Sequence, residues 1–259
     1  ATMDDARQLR GLAALTGHVH LAAQLQRRAA PDFTFLTPAW EEVNVPLQLT
    51  DAALGLYAYS AFGAPTDSLV ALETRVERLI PSYVGPGMRA RTRQALLDVP
   101  SVLAFPERGV RPMHRAKAGG NYRLEMQWEL AHGDTAQLRE HIKKLESVQR
   151  NLRPGDVAFD GTYHVAWLLL AMGDTAQATQ LLDLTLEALP TIRSDLIDQL
   201  PQVATFVRGM ALRAELADQA NDSTTARRWA QDVLLLWSGA DSELQSTVKR
   251  MQTITKEAL

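Results

Sequence analysis

The chain has 259 residues and a mass of 28.6 kDa, enough for one large domain or two small ones around a buried core. Apolar residues make up 46%, charged residues 22% and aromatics 6%, which excludes disorder and collagen-like repeats and speaks against a large sandwich or barrel. A net charge of -3 excludes a molecule-wide attraction to polyanions, and the lack of cysteine excludes disulfides, thiolate metal sites and cysteine nucleophiles.

In chain order, Leu15-Thr16-Gly17-His18 leads into Ala22, Leu25 and Ala29 and predicts a first helix hairpin. Nine of the twelve prolines fall between residues 31 and 119, which predicts an irregular, basic insertion there. Within it, Phe33 to Leu49 reads as extended or irregular; a short β pair fits, but Pro38 and Pro46 oppose a central strand. Asp51 to Phe62 and Asp67 to Ile80 still read as a hairpin joined at Gly63-Ala64-Pro65. Gly87 to Val99 reads as a further helix and Glu107 to Gly120 as a loop.

The region 120–259 carries the clearest pattern. Leu130-Ala131-His132-Gly133-Asp134-Thr135-Ala136-Gln137 recurs 40 residues later as Leu170-Ala171-Met172-Gly173-Asp174-Thr175-Ala176-Gln177, with seven identities in eight. Helix-like stretches flank both copies: Tyr122 to Leu130 and Thr162 to Leu170 before, Leu138 to Val148 and Ala178 to Leu189 after. Apolar residues keep helical spacing at Leu138, Ile142, Leu145 and Val148, and again at Ala178, Leu182, Leu186 and Leu189. Pro201 predicts a break at Leu200. Leu216-Ala217 followed by Asn221-Asp222-Ser223 is a weaker copy of the bend, and Asp241 to Lys256 reads as a capping helix.

The bend has a physical logic. Gly or Asn adopts the left-handed conformation that ends one helix, and the next Asp, Thr or Ser caps the amides that begin another. A single hairpin cannot bury its own apolar face, so consecutive hairpins must stack.

Ala131-His132-Gly133-Asp134 and Ala171-Met172-Gly173-Asp174, with Ala178 at a small-residue position of the second helix, resemble the tetratricopeptide-repeat superfamily. The period of 40 exceeds that family's 34, and its late proline and its Trp/Leu/Gly pattern are missing. The Ala/Arg/Leu-rich style of residues 160 to 250 is also similar to helical-repeat regions appended to bacterial kinases, cyclases and transcription regulators. The resemblance implies an all-α solenoid of about ten to twelve helices in one domain, 1–259, whose groove holds a peptide or another protein without catalysis.

The catalytic search is thin. There is no dinucleotide fingerprint, phosphate loop, His-Glu-x-x-His or Gly-x-Ser-x-Gly. His18 and His20 are two apart and do not share a helix face, so they read as ordinary histidines and no metal is expected. His132, Asp134 and His141 surround a structural bend. Asp160 and His164 stand at i and i+4 near a helix start, with no nucleophile beside them. The sequence therefore predicts no catalytic residues and no cofactor.

Charge is more informative. Arg75, Arg78, Arg89, Arg91, Arg93, Arg108, Arg111, Arg115 and Lys117 face only Glu77, Asp98 and Glu107, so this segment is +6 and the remainder -9 within a total of -3. Arg89, Arg91 and Arg93 follow Gly85-Pro86-Gly87 at a helix start; with Arg108, Arg111 and Arg115 they are candidates to hold an anion or acidic partner. Arg123, Gln127, Tyr163 and Trp167, paired by the 40-residue register, are candidates to line a groove; Trp128, which aligns with Leu168, reads as core.

The expected function is a non-enzymatic protein-interaction or assembly scaffold for an acidic or peptide partner, with homo-oligomers as one form of assembly. The alternative is a regulatory domain that senses a small anionic molecule. Nucleic acid is not expected, because no aromatics alternate with the basic residues. Membrane insertion of this segment is not expected either, since the longest apolar run, Val165 to Met172, is eight residues against the ~20 needed. The chain starts in helical pattern almost at once and reads as a mature or excised segment. Cytoplasm is favoured, with an extracytoplasmic domain of a membrane-anchored protein as the alternative.

Overall fold

The structure is a computed structural model; it describes residues 3–28, 47–104, 122–150, 156, 158–188 and 198–257. All regular elements among these are helices. They are α1 (Met3–Leu15), α2 (Val19–Arg28), α3 (Leu47–Phe62), α4 (Thr66–Tyr83), α5 (Arg89–Arg93), a π turn (Gln94–Asp98) and α6 (Val99–Leu103). After residue 121 come α7 (Tyr122–Ala131), α8 (Thr135–Arg150), α9 (Phe159–Ala171), α10 (Thr175–Glu187), α11 (Leu200–Gln219), α12 (Ser223–Trp237), a 3₁₀ turn (Ser242–Leu244) and α13 (Gln245–Glu257).

Five bends join helix pairs, and all five share one geometry. Gly17, Gly63, Gly133, Gly173 and Asn221 take φ of 74°, 65°, 71°, 80° and 60°. Each N–H reaches the carbonyl three residues back, and the following N–H reaches the carbonyl five back, as in Gly133 to Leu130 (3.2 Å) and Asp134 to Glu129 (2.9 Å). This double closure satisfies carbonyls that a helix end leaves open. The caps differ more. Asp134 and Asp222 accept from the N–H of Gln137 and Thr225, whereas Asp174 makes no cap bond and pairs with Arg139 at 3.1 Å.

Two expectations change. The region assigned to an irregular insertion is more regular than that: α3 and α4 form the expected hairpin, whose Leu49, Leu56, Leu69, Val76 and Ile80 build a core with Leu96 and Leu97, and residues 89–103 continue as short helical turns. The prolines of this region sit where helices tolerate them. Pro65 is the N-cap of α4, Pro81 lies in its last turn, and Pro100 opens α6 just after the π turn. A proline ring clashes with the carbonyl four residues back, here Leu96, so the run from 89 to 103 widens instead of continuing as one α-helix. The second change is Val148. It is 59% exposed because α8 runs 16 residues against a ten-residue α7 and its end outruns its cover. The expected irregular stretch up to residue 46 and the loop at 107–120 lie outside the described residues.

The expected helical run from Ser194 up to residue 197 lies outside the described residues; Gln199 is extended and α11 begins at Leu200, with Pro201 in its first turn. From there α11 is buried on nearly every side, including Val203, Val207, Met210, Leu212 and Leu216. Ala204, Gly209, Ala211, Ala214 and Ala217 keep it thin enough for neighbours to approach all round. It packs on α9, α10, α12 and α13, and also on α1 and α3 from the other end of the chain. Elements distant in sequence therefore share one core, with Val19, Ala22 and Phe62 beside Val207, Trp229, Trp237 and Met251. Strict stacking of sequence neighbours alone does not describe these contacts.

Gly17 and Gly133 separate conformational strain from crowding. A Cβ at Gly17 would lie 2.6 Å from Ala240 Cβ and 3.0 Å from Trp237 Cδ1; one at Gly133 would meet nothing within 4 Å. Urea denaturation is expected to show Gly133→Ala losing about 1 kcal/mol, from left-handed strain alone. Gly17→Ala should lose about 3 kcal/mol, because overpacking is added. Equal losses would show that the N-terminal bend is not seated against α12.

Candidate functional site

The interior holds a polar cluster assembled from six helices. Asp160, in the first turn of α9, receives Arg123 Nη1 of α7 at 2.6 Å and Gln202 Nε2 of α11 at 2.8 Å, and its Oδ1 accepts the Gly161 N–H at 2.8 Å. Burial by itself would raise the Asp160 pKa. The Arg123 charge and these hydrogen bonds outweigh it and hold the carboxyl below the ordinary range. For Arg123, burial acts to lower the pKa, and the Asp160 charge more than offsets this, so the guanidinium stays charged. Burial, reinforced by Asp160, pushes the Tyr57 phenol on α3 upward, only partly offset by Arg10 and Arg123.

Arg208 enters from the middle of α11. Its Nη1 donates to the carbonyls of Ala61 at 3.0 Å and Leu103 at 2.7 Å, and its guanidinium lies 4.4 Å from the centre of the Tyr163 ring. Those carbonyls end α3 and α6, where helix geometry leaves acceptors open and the dipole favours a cation. Arg10 of α1 does similar work, donating to Gln26 Oε1 of α2 at 2.8 Å and to the Asp198 carbonyl ahead of α11.

His164, one helical turn beyond Asp160, is 2% exposed and lies against the backbone of Val102 and Arg123. Burial first, then the Arg123 charge, pushes its pKa down to about 3. It is therefore neutral at neutral pH.

The groove candidates are not displayed together. Gln127 is 0% exposed and Tyr163 6%, so both belong to the interior; Arg123 is engaged with Asp160, and Trp167 is half-buried against Tyr163. Trp128 is not fully buried as expected but only partly covered, stacked on His132 with ring centres 4.0 Å apart, while the aligned Leu168 is fully buried. The two copies differ because α9 is covered by α7, α10 and α11, and α7 lies at the flank of that group.

The basic candidates divide similarly. Arg89 donates to the carbonyls of Val84 at 3.0 Å and Pro81 at 3.2 Å, closing the end of α4, and Arg93 pairs with Glu77 at 2.7 Å. Both are thus engaged locally, at the end of α4 and with Glu77. The Arg91 side chain and Arg108, Arg111 and Arg115 lie outside the described residues. His132 bonds its own helix at the Trp128 carbonyl, and His141 pairs with the buried Glu129 at 3.0 Å, so the histidines near the bend do structural work.

Open space lies elsewhere. A cleft of about 240 Å³ between α2, α3 and α4 is lined by Gln24, Asp51, Tyr59, Ser68 and Arg75 over a floor of Ala52, Gly55 and Leu72. Arg78 is exposed one turn further along α4. Sequence reasoning missed this cleft, and it also missed Arg10, Gln202 and Arg208. One signal was available for Arg208: a lone cation in the apolar run Val207 to Leu212 is expensive to bury without partners.

Comparison with family models, characterised proteins and solved structures gives no match for the chain.

His164 should leave a signature in acid. Between its ordinary value of 6.5 and its native value of about 3, the unfolded chain binds a proton that the native chain refuses, so stability falls as pH falls. Denaturant melts are expected to show a loss of about 2 kcal/mol between pH 7 and pH 5 that disappears in His164→Gln. Asp160 adds a further loss only below its ordinary 3.8, where the unfolded carboxylate takes up a proton first. Arg208→Met should cost about 3 kcal/mol by stripping the donor from two helix ends; an unchanged urea midpoint would refute that role.

Proposed function

We propose that the chain is a tetratricopeptide-like, non-enzymatic interaction module, an array of helix hairpins that holds an acidic, extended segment of a partner protein. The cleft between α2, α3 and α4 carries this reading. It offers Gln24, Tyr59 and Ser68 for hydrogen bonding over a small apolar floor; Asp51 places one carboxylate in its wall, against which Arg75 at its edge and Arg78 beyond supply two cations. Such a surface suits a peptide with alternating carboxylates and small side chains. Helices fixed by a common core hold these groups in place before binding, which lowers the ordering cost. The strongly perturbed interior groups support the same reading: Asp160 is neutralised by Arg123, and His164 is buried and uncharged, so neither is available to a substrate.

The charge asymmetry along the sequence, +6 over residues 75–117 against -9 elsewhere, favours an acidic partner, and a second copy of the chain qualifies as one. A regulatory domain of a larger bacterial protein fits this role. Sensing of a small anion is the second reading. Against it, Arg89 and Arg93 are committed to the α4 carbonyls and to Glu77.

Fluorescence anisotropy with labelled acidic, neutral and basic extended peptides, beside phosphorylated metabolites, tests the proposal. Acidic peptides should bind saturably, release as salt rises, and bind about tenfold more weakly to Arg75→Ala. Salt-insensitive binding, or equal binding of basic peptides, would reject it. Saturable metabolite binding without peptide binding would replace it with the sensor.

A further inference from the structure

The N-terminal bend and the C-terminal bend meet, and three metal-binding side chains meet with them. Gly17 O accepts the Asp241 N–H at 3.1 Å, and the His20 N–H donates to Asp241 Oδ2 at 2.9 Å, across 221 residues of sequence. His20 Nε2 then lies 3.3 Å from Glu243 Oε1 and 4.0 Å from Asp241 Oδ2. One donor atom from each residue falls within 4.8 Å of the others. We propose that His20, Asp241 and Glu243 form a divalent zinc-type site that clasps the first hairpin of the chain to the bend before its last helix.

Three observations support a metal over an ordinary ion pair. The first is spacing: donors held 2.0–2.2 Å from a tetrahedral ion are roughly 3.3–3.6 Å apart, so the Nε2 to Oε1 separation of 3.3 Å already matches, the 4.0 Å to Asp241 closes by a few tenths of an ångström, and the two carboxylates, within 4.8 Å of each other, close by up to about an ångström through side-chain rotation. The second is the support around the imidazole. The His20 Nδ1 and Tyr59 Oη are 2.6 Å apart, and a ring that donates from Nδ1 to a fixed oxygen turns the lone pair of Nε2 towards the carboxylates. The third is that Asp241 stands at the start of the 3₁₀ turn without capping it; its side chain reaches across to the N-terminal hairpin instead.

Ligand chemistry selects the ion. Two carboxylates and a neutral imidazole carry -2, which a divalent cation neutralises. A nitrogen ligand favours zinc over magnesium, which prefers six oxygens. Asp241 and Glu243 are three-quarters or more buried and His20 is about half exposed, so the carboxylates are held firmly while the fourth position remains open to water. The physical consequence is stability, because an ion bound only when the two bends are together favours the folded chain.

The test uses the full chain treated with chelator and then titrated with zinc chloride alone. Calorimetry should show one site per chain, and the melting temperature should rise with zinc. Cobalt chloride should give the visible absorption of a tetrahedral nitrogen–oxygen site. His20→Ala and Glu243→Gln should remove all three responses while melting, metal-free, within a few degrees of the parent. Tyr59→Phe should weaken zinc affinity about tenfold. Should a variant not fold, the cobalt spectrum of the parent decides alone. No saturable zinc binding, binding that persists in both variants, equal affinity for magnesium, or an octahedral cobalt spectrum would each overturn the site. Peptide binding is read separately on the metal-free chain, so failure of one proposal leaves the other standing.

Discussion

Burial of α11 on almost every face is the constraint on which the other packing depends. A helix with neighbours on all sides must be slim, which the alanines and Gly209 provide, and it must satisfy whatever polar groups it carries inward. Arg208 and Gln202 meet that condition by serving as the missing partners of other elements. The guanidinium closes the carbonyl ends of α3 and α6, and the amide steadies Asp160. Arg213 pairs in two-pronged fashion with Asp183 of α10 at 2.6 and 3.2 Å, so the same helix is tied outward as well. An unmet cation in that position would cost several kcal/mol, more than any single apolar contact returns.

The five bends and the central helix have different tasks. The bends are local solutions to one problem, the closing of a helix within two or three residues, and the same double hydrogen bond solves it each time. The central helix decides which hairpins touch. Because α1 and α3 reach it as well as α9, α10, α12 and α13, the two ends of the chain share a core, and the bend at Gly17 comes to rest on Trp237, Ala240 and Leu244. The proposed metal clasp lies at that meeting point, beside the cleft that His20 also lines.

The charged interior accounts for the titration of the conspicuous histidine and aspartate of α9. A group prepared for acid–base work needs a pKa near the working pH and access to a substrate. Asp160 is held ionised by Arg123, and His164 is held neutral by burial. Their perturbation comes from a structural network, one of the ordinary origins of shifted titration. Polar side chains border an open cleft on the surface of α2 to α4, where the proposed peptide site lies.

The sequence by itself determined the helices and the joints between them. Gly133 and Gly173 announced theirs by repetition, Gly17 and Asn221 by weaker likeness, and Pro201 marked the start of α11, all because backbone geometry at a helix end depends on a few adjacent residues. It also carried the apolar stripes of α8 and α10, although Val148 shows that a stripe does not record how long its partner helix is. Only the tertiary structure decided which face of α7 turns inward, taking Gln127 into the interior and leaving Trp128 partly covered. It alone brought Arg208 to the end of α3 and His20 to Asp241 and Glu243. Those meetings span more than a hundred residues and depend on which surfaces pack best together, a quantity that helical periodicity does not contain.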